Sequence, residues 1–322
     1  MIVPLFLLII STTCYNHYDF KCTADLNDNC PNIAGTSVKI LSKDLKEGKY
    51  CRCTKYGEID FEFDAGVGYV PKNYFYGAYV KTVKIPKGLT EIQEGAFDGT
   101  HLNKIEFADF ADSSLQTIGN GAFYDVQLPT TYTLELPKNV VTIGDSVFYS
   151  VEIDILDLSE TRLTDNVGSN LCDSATIETV KFPKTLTNLG FSAFINSNLG
   201  TVDLSGLTST LNVNEDMCYN AAIKSLIFPE KISSLSGKAF QEAEIGTLDC
   251  KKTTNLAISG ETFKSSSIKT LVLPNNLYSV SDSSFKECTI TNLDLSNVNS
   301  VNFPSGIFNK AEIKGEITFH KD

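Results

Sequence analysis

Apolar side chains recur along this chain in short alternating runs that end in proline. Examples are Val80-Lys-Thr-Val-Lys-Ile-Pro86 and Ile177-Glu-Thr-Val-Lys-Phe-Pro183. Alternation of apolar and polar residues is typical of a β-strand with one buried face. Proline ends such a strand because it has no N–H to donate to a neighbouring strand. The pattern predicts a series of short strands with these buried pairs: Val83/Ile85, Leu134/Leu136, Val180/Phe182, Leu226/Phe228 and Leu271/Leu273.

A second marker alternates with these strands and gives the chain its period. An aromatic residue, usually preceded by a small one, follows an aliphatic residue at a distance of five. Two copies carry cysteine instead of the aromatic. Successive markers are 22 to 26 residues apart, and a period of this length indicates a solenoid of stacked repeats. The markers are Phe75, Phe97, Phe123, Phe148, Cys172, Phe194, Cys218, Phe240, Phe263, Phe285 and Phe308.

From Leu134 onward, every second copy replaces the proline ending with Asp-Leu-Ser or a close variant. These copies are Leu156-Asp-Leu-Ser159, Val202-Asp-Leu-Ser205, Leu248-Asp-Cys250 and Leu293-Asp-Leu-Ser296. Proline-type and aspartate-type copies therefore alternate, and the larger unit is a pair of repeats. The same pairing accounts for the two cysteine markers, which are separated by two repeats.

The repeat predicts a leucine-rich repeat solenoid, a right-handed superhelix of 10 to 11 repeats around one shared core. Its strands should form a single parallel β-sheet of about ten strands, and the marker segments should be short helical or 3-10 turns with stacked rings. Cys172 and Cys218 would lie about 10 Å apart, too far for a disulfide. We expect them, and Cys250 in its strand, to be buried free thiols.

Strand residues between the buried positions should form two outward rows, which we call the threonine row and the charged row. Solenoids commonly bind partners on this surface, and the rows are our candidate binding face. Simple strand propensity and solubility would also explain them. The apolar members Ile155, Ile227 and Val272 are the best candidates for direct contact. The threonine row is Thr82, Lys104, Thr133, Ile155, Thr179, Thr201, Ser225, Thr247, Thr270 and Asn292; the charged row is Lys84, Glu106, Glu135, Asp157, Lys181, Asp203, Ile227, Asp249, Val272 and Asp294.

The combined pattern L-x-x-[IVL]-x-[IL]-P-x-x-[LIV]-x-x-[IL]-x-x-x-A-F resembles the BspA-like (treponema-antigen type) leucine-rich repeat. Phe285-Lys-Glu-Cys288 also matches the cysteine that this family places three residues after the phenylalanine. The resemblance covers about residues 59 to 319; the Asp-Leu-Ser copies and the two cysteine markers depart from it. It implies a secreted or cell-surface protein that adheres to host cells or matrix proteins, or that mediates cell–cell aggregation.

The N-terminal region differs from the repeats. The apolar run Met1 to Ile10, followed by small polar residues, predicts a signal peptide over residues 1–14. We expect a cap over 15–56, stapled by disulfides among Cys22, Cys30, Cys51 and Cys53, and the solenoid over 57–322. Four cysteines allow three pairings, and a Cys₄ zinc site is the alternative.

Composition narrows the functional classes. Lys and Arg total 27 against 39 Asp and Glu, a net charge of −12, which argues against nucleic acid as a partner. Three His residues and the lack of nucleotide-binding, zinc-protease or serine-hydrolase motifs argue against an enzyme, and no cofactor is expected. No apolar run after the signal segment is long enough to span a membrane.

The leading hypothesis is a secreted or surface binding protein whose partners are host matrix or cell-surface proteins. The alternative is a structural scaffold that self-associates, for instance through the ends of the solenoid. A third idea, an ice- or crystal-binding threonine array, is disfavoured because the second row is charged.

Overall fold

The computed structural model describes residues 37–40, 60–165, 167–298 and 307–319, which form successive coils of a solenoid. Each coil contributes one strand to a main sheet, and many coils add a shorter strand on another face. The architecture is the predicted leucine-rich repeat solenoid, with about 11 turns. The predicted signal peptide and the cysteines at 22, 30, 51 and 53 lie outside the described residues.

The long strands form two parallel sheets rather than the single predicted sheet. The first sheet contains β1 (Ser37–Ile40), β2 (Asp60–Phe63), β4 (Tyr79–Ile85) and β6 (His101–Phe107). The second contains β8 (Thr133–Glu135), β10 (Glu152–Asp157), β11 (Thr176–Lys181), β12 (Asn198–Asp203), β14 (Ala222–Ile227), β16 (Glu244–Asp249), β18 (Ser267–Val272), β20 (Thr289–Leu295), β21 (Glu312–Ile313) and β22 (Ile317–Phe319).

The short strands form two further parallel sheets on another side of the coils. One contains β3 (Tyr69–Val70), β5 (Glu91–Ile92), β7 (Thr117–Ile118) and β9 (Thr142–Ile143). The other contains β13 (Leu211–Val213), β15 (Ile232–Leu235), β17 (Thr254–Ile258) and β19 (Asn276–Val280). The range predicted as a cap contains β1, which pairs in parallel with β2; the cap boundaries stay predictions.

The marker segments are tight turns, not the expected helical turns. Left-handed residues flank the marker on both sides, as Gly95 (φ 60°) and Gly99 (φ 61°) do around Phe97. A helix cannot form across them, because it needs a run of right-handed residues. Instead, the N–H of Phe97 donates along the solenoid axis to the C=O of Ala122 at 2.8 Å. The single helix among the described residues is a 3-10 helix at Phe110–Asp112.

The rings stack along the core as predicted. Ring centroids of Phe75 and Phe97 are 5.2 Å apart, and those of Phe97 and Phe123 are also 5.2 Å apart. Toward the C-terminal end, Phe240, Phe263, Phe285 and Phe308 continue the stack at 4.9 to 5.4 Å. The marker rings through Phe285 are buried, so the coils share one interior.

The two cysteine markers are accompanied by a compensating change in the strand. Cys172 and Cys218 are buried, and the strand that follows each carries Phe182 or Phe228. At the same position most other long strands have Leu, Ile or Cys, whereas β2 and β6 also have a ring, Phe63 and Phe107. The Phe182 ring meets the Phe194 ring edge-on at 6.2 Å, and Phe228 meets Phe240 at 6.0 Å. Close packing penalises empty space, so we infer that each strand ring fills the volume that the small thiol leaves.

Candidate binding surface

The two predicted rows lie on the outer face of the long strands. Each member of the threonine and charged rows is half-buried or exposed, while the strand residue between the two rows is buried. Parallel pairing places like residues side by side: Thr179 opposite Thr201, Thr201 opposite Ser225, and Ser225 opposite Thr247. Their outward placement agrees with the sequence pattern, and their role in binding stays a prediction.

The aspartates of the charged row have a structural task that the sequence analysis missed. The Asp203 carboxylate accepts the Ser205 N–H at 2.8 Å, and the Asp157 carboxylate accepts the Ser159 N–H at 3.0 Å. Proline occupies the position of these serines in the alternate coils, where there is no N–H to satisfy. Asp249 and Asp294 repeat the contact with Lys251 and Ser296. The two repeat types therefore avoid an unsatisfied backbone N–H at the same position in two ways: aspartate accepts it, or proline removes it.

Hydrogen bonds and ion pairs within the sheet already engage part of the negative charge of this row. Burial opposes ionisation of Asp157, but hydrogen bonds from Lys181 and Ser159 outweigh it and lower the pKa of Asp157. Lys181 Nζ lies 2.8 Å from its Oδ2. Because one carboxylate oxygen holds a turn and the other a neighbouring lysine, Asp157 offers a partner less than its charge suggests.

The apolar exceptions do not make a patch. Ile227 is paired with Asp203 on one side and Asp249 on the other, and Val272 lies between Asp249 and Asp294. Ile155 lies farther along the sheet, in β10, and is only partly exposed. These three residues are isolated apolar side chains on a polar surface.

A third outward row exists, which we call the bend row. In the long strands of six or seven residues, two buried residues are three positions apart, as Ile153 and Leu156 are. The strand bends there, and the ladder skips one residue, passing from Ile153↔Ile177 to Ile155↔Thr179. The L-x-x-I spacing of the repeat carries this signal, whereas strict alternation does not predict the bend. The row is Lys81, Asn103, Asp154, Glu178, Gly200, Lys224, Gly246, Lys269 and Thr291.

Glycines make notches in the bend row. A Cβ on Gly200 would stand 2.2 Å from the C=O of Glu178, and one on Gly246 would stand 2.3 Å from the C=O of Lys224. The notch at Gly200 lets Lys224 Nζ reach Glu178 Oε2 two coils away, at 2.6 Å. Close approach of backbone is the reason for glycine at both positions.

A cleft of about 500 Å³ interrupts the face between β6 and β8. Aromatic rings concentrate in its walls, with Phe107 and Phe110 on one side and Tyr132 on the other. Glu106 and Glu135 of the charged row also line it, together with Lys84 and Lys104, and Lys104 Nζ lies 2.7 Å from Glu106. Sequence reasoning assigned these glutamates to an unbroken row and did not foresee the cleft, although the repeats of 25 and 26 residues mark its place.

Comparison with known families agrees with this geometry. A family model described as the BspA type leucine-rich repeat region matches residues 43–164, 109–221 and 201–314, with six copies. These matches cover most of the chain. The chain belongs to the BspA-type leucine-rich repeat family. Among curated proteins, none matches it significantly.

BspA-type repeat proteins are often surface-associated and bind other proteins, and their solenoid is typically a scaffold for interaction. In the part of this BspA-type chain that the structure describes, no group of three or more His, Cys, Asp or Glu residues could hold a metal ion. No helix within the same residues has the length and apolar character of a membrane span.

The cysteines of the repeats are free and buried. Cys172, Cys218, Cys250 and Cys288 form no disulfide, as predicted for the first three. Burial raises the pKa of Cys172, Cys218 and Cys250 far above the usual thiol range. Burial likewise raises the pKa of Cys288 to about 11. Such thiols are poor nucleophiles, because the thiolate is the reactive form.

Proposed function

We propose that this chain is a secreted or cell-surface binding protein that uses the outer face of its long sheet to adhere to host cells or matrix proteins. The observation that carries the proposal is the ten-stranded parallel sheet, whose ladder holds rows of exposed side chains in register. A surface of this kind is rigid before it binds, so little conformational entropy is lost on association. Family membership adds surface-associated protein binding as the common role.

The experiment is solid-phase binding of the full chain to immobilised matrix proteins and to host cells. Thr201→Arg combined with Thr247→Arg places two bulky cations on the threonine row, in β12 and β16. The matched control is Ser233→Arg with Ser279→Arg, two exposed serines on the short-strand sheet. Binding should fall at least tenfold in the first variant and stay unchanged in the control. Equal binding by both would exclude this face.

Secretion belongs to the same proposal and has its own test. An epitope-tagged full-length chain should be found in the medium or on the outer cell surface. Retention of all the protein inside the cell would refute this part of the proposal while leaving protein binding untouched.

The second candidate is a self-associating scaffold, and one observation favours it. Ile317 and Phe319 of β22 are exposed, Phe319 to 64%. Light scattering on the pure protein should then show oligomers without added ligand, and Phe319→Ser should return them to monomers. A monomer at all concentrations would eliminate this candidate.

A further inference from the structure

The cleft between β6 and β8 is a gap in the sheet between two successive coils, whose marker rings Phe97 and Phe123 still stack at 5.2 Å. The ladder runs normally to Leu102, whose N–H donates to the C=O of Gln127 at 2.8 Å. Beyond that point no ladder pairing joins the described residues of β6 and β8. The backbone of Ile105 is paired with Val83 on one side only. β6 thus has an open edge inside the face.

A tyrosine hydroxyl satisfies the edge of β6 at this gap. The N–H of Ile105 donates to the Tyr132 hydroxyl at 3.1 Å, and that hydroxyl donates to the C=O of Ile105 at 3.1 Å. In an ordinary sheet these two groups hydrogen-bond to the backbone of a neighbouring strand at about 4.8 Å. Here a whole tyrosine side chain spans the distance, while the Tyr132 C=O accepts the N–H of Ile155. The gap is therefore wider than one ladder step.

The walls of the cleft are held in place before any partner arrives. The 3-10 helix that carries Phe110 is tied to the preceding coil by Lys87, whose Nζ lies 2.7 Å from Asp109 and 3.4 Å from Asp112. Lys138 reaches Asp112 from the following side at 3.6 Å. The Phe107 and Phe110 rings meet edge-on at 6.3 Å.

The neighbouring coils show what kind of strand fits between two acidic strands. In β11, Lys181 lies between Asp157 of β10 and Asp203 of β12, and it pairs with Asp157 at 2.8 Å. Its neighbours Val180 and Phe182 point into the core. At the cleft the flanking positions of the charged row are Glu106, which already pairs with Lys104 Nζ at 2.7 Å, and Glu135, and the two strands are not paired with each other there.

We propose that the cleft binds an extended peptide segment of a partner protein, which adds a strand to β6 and carries the pattern apolar–basic–apolar. The basic residue would lie against Glu135, because Glu106 already pairs with Lys104. The two apolar residues would face inward, against Ile105 and Leu134 on one level and against Phe107 on the other. Cross-strand pairs of opposite charge stabilise such an addition, and main-chain hydrogen bonds supply much of its affinity.

This inference rests on the proposed function, because it places one partner segment on the same face. A peptide is favoured over a glycan because the groups that the Tyr132 hydroxyl satisfies are a strand's own N–H and C=O. A glycan would use the rings and the carboxylates but would leave this edge of β6 to the tyrosine hydroxyl.

The test is selection of a phage library of random 12-residue peptides on the folded full-length chain. Enriched peptides should share a Lys or Arg between two large apolar residues. Binding of the synthetic peptides should weaken at least tenfold in Glu135→Lys and less than twofold in Glu244→Lys, an exposed glutamate outside the cleft. The double variant Glu106→Lys/Glu135→Lys should select apolar–acidic–apolar peptides instead.

Tyr132→Phe gives a signature that simple surface docking would not produce. It removes the competing hydroxyl and keeps the ring, so peptide binding should tighten several-fold. The amides of Ile105 and Phe107 should exchange more slowly with the peptide bound. Thermal melts of every variant separate lost binding from lost folding.

Three results would overturn the proposal: no shared peptide pattern, a pattern indifferent to Glu135→Lys, or a glycan array signal abolished by Phe110→Ser without any peptide binding. The adhesion assay separates this failure from failure of the function. Matrix binding that survives the cleft variants but not Thr201→Arg/Thr247→Arg would reject the cleft alone. Peptide binding without matrix binding would reject adhesion alone.

Discussion

A strong test of the core is to place the aromatic ring at the marker position 172 instead of at the strand position 182. Cys172→Phe would insert a ring between Phe148 and Phe194, where the Phe182 ring already leans on Phe194 at 6.2 Å. Overpacking of this kind destabilises a core by about 2 kcal/mol. Phe182→Leu alone should also lose about 2 kcal/mol, through one ring pair and a small cavity.

The double variant should lose much less stability than the sum of the two single losses. Phe at 172 with Leu at 182 recreates the arrangement of the previous coil, where Phe148 is followed by Leu158. We expect a total loss of about 1 kcal/mol instead of about 4, a coupling of about 3 kcal/mol between sites that share one volume. Urea unfolding monitored by far-UV circular dichroism measures it, with unchanged m-values required because repeat arrays can unfold in parts.

The control combines substitutions from different coils. Cys172→Phe with Phe228→Leu should be additive, whereas Cys218→Phe with Phe228→Leu should couple as strongly as the first pair. If the losses of Cys172→Phe and Phe182→Leu add to within about 0.5 kcal/mol, the two side chains do not share a volume and the compensation argument is wrong.

Three other predictions concern the surface and the turns. Asp203→Ala should cost about 1 kcal/mol because the Ser205 N–H loses its acceptor, and adding Ser205→Pro should recover most of it in the same unfolding assay; no recovery would contradict the shared role of the two repeat types. Burial, with the charge of a neighbouring aspartate, raises the pKa of Asp98 from 3.8 to about 6, so its ionisation lowers stability as pH rises through that interval. Asp98→Asn should therefore stabilise the fold by about 1 kcal/mol at pH 7.5, after allowance for solvent screening, and not at pH 3.5; equal effects at both pH values would be inconsistent with the shift. Gly200→Ala should destabilise the fold by more than about 1 kcal/mol because its Cβ would meet a backbone carbonyl. The control Gly206→Ala, whose Cβ meets nothing within 4 Å, should be nearly neutral. Thermal melts in which Gly206→Ala loses as much stability as Gly200→Ala would contradict the close backbone approach at Gly200.

The rows illustrate how far local pattern can be trusted. Period-two alternation correctly placed Thr201 and Asp203 outside, because strand side chains alternate between two faces. It could not place Lys224, since the bend before it breaks the alternation within one strand. The same pattern treated the charge of Asp203 as free for binding, because the target of its carboxylate is a backbone N–H that only the folded turn presents.

Sequence by itself determined the period, the stack of Phe rings and the outward rows of this protein, because each coil repeats the same short-range pattern and buries its apolar residues against the next copy. Tertiary structure decided what happens where copies differ. The ring of Phe182 fills space beside a thiol ten residues away, and the extra residues before Tyr132 push two strands apart. Both outcomes depend on volume and hydrogen bonding between neighbouring coils, which spacing along the chain does not encode.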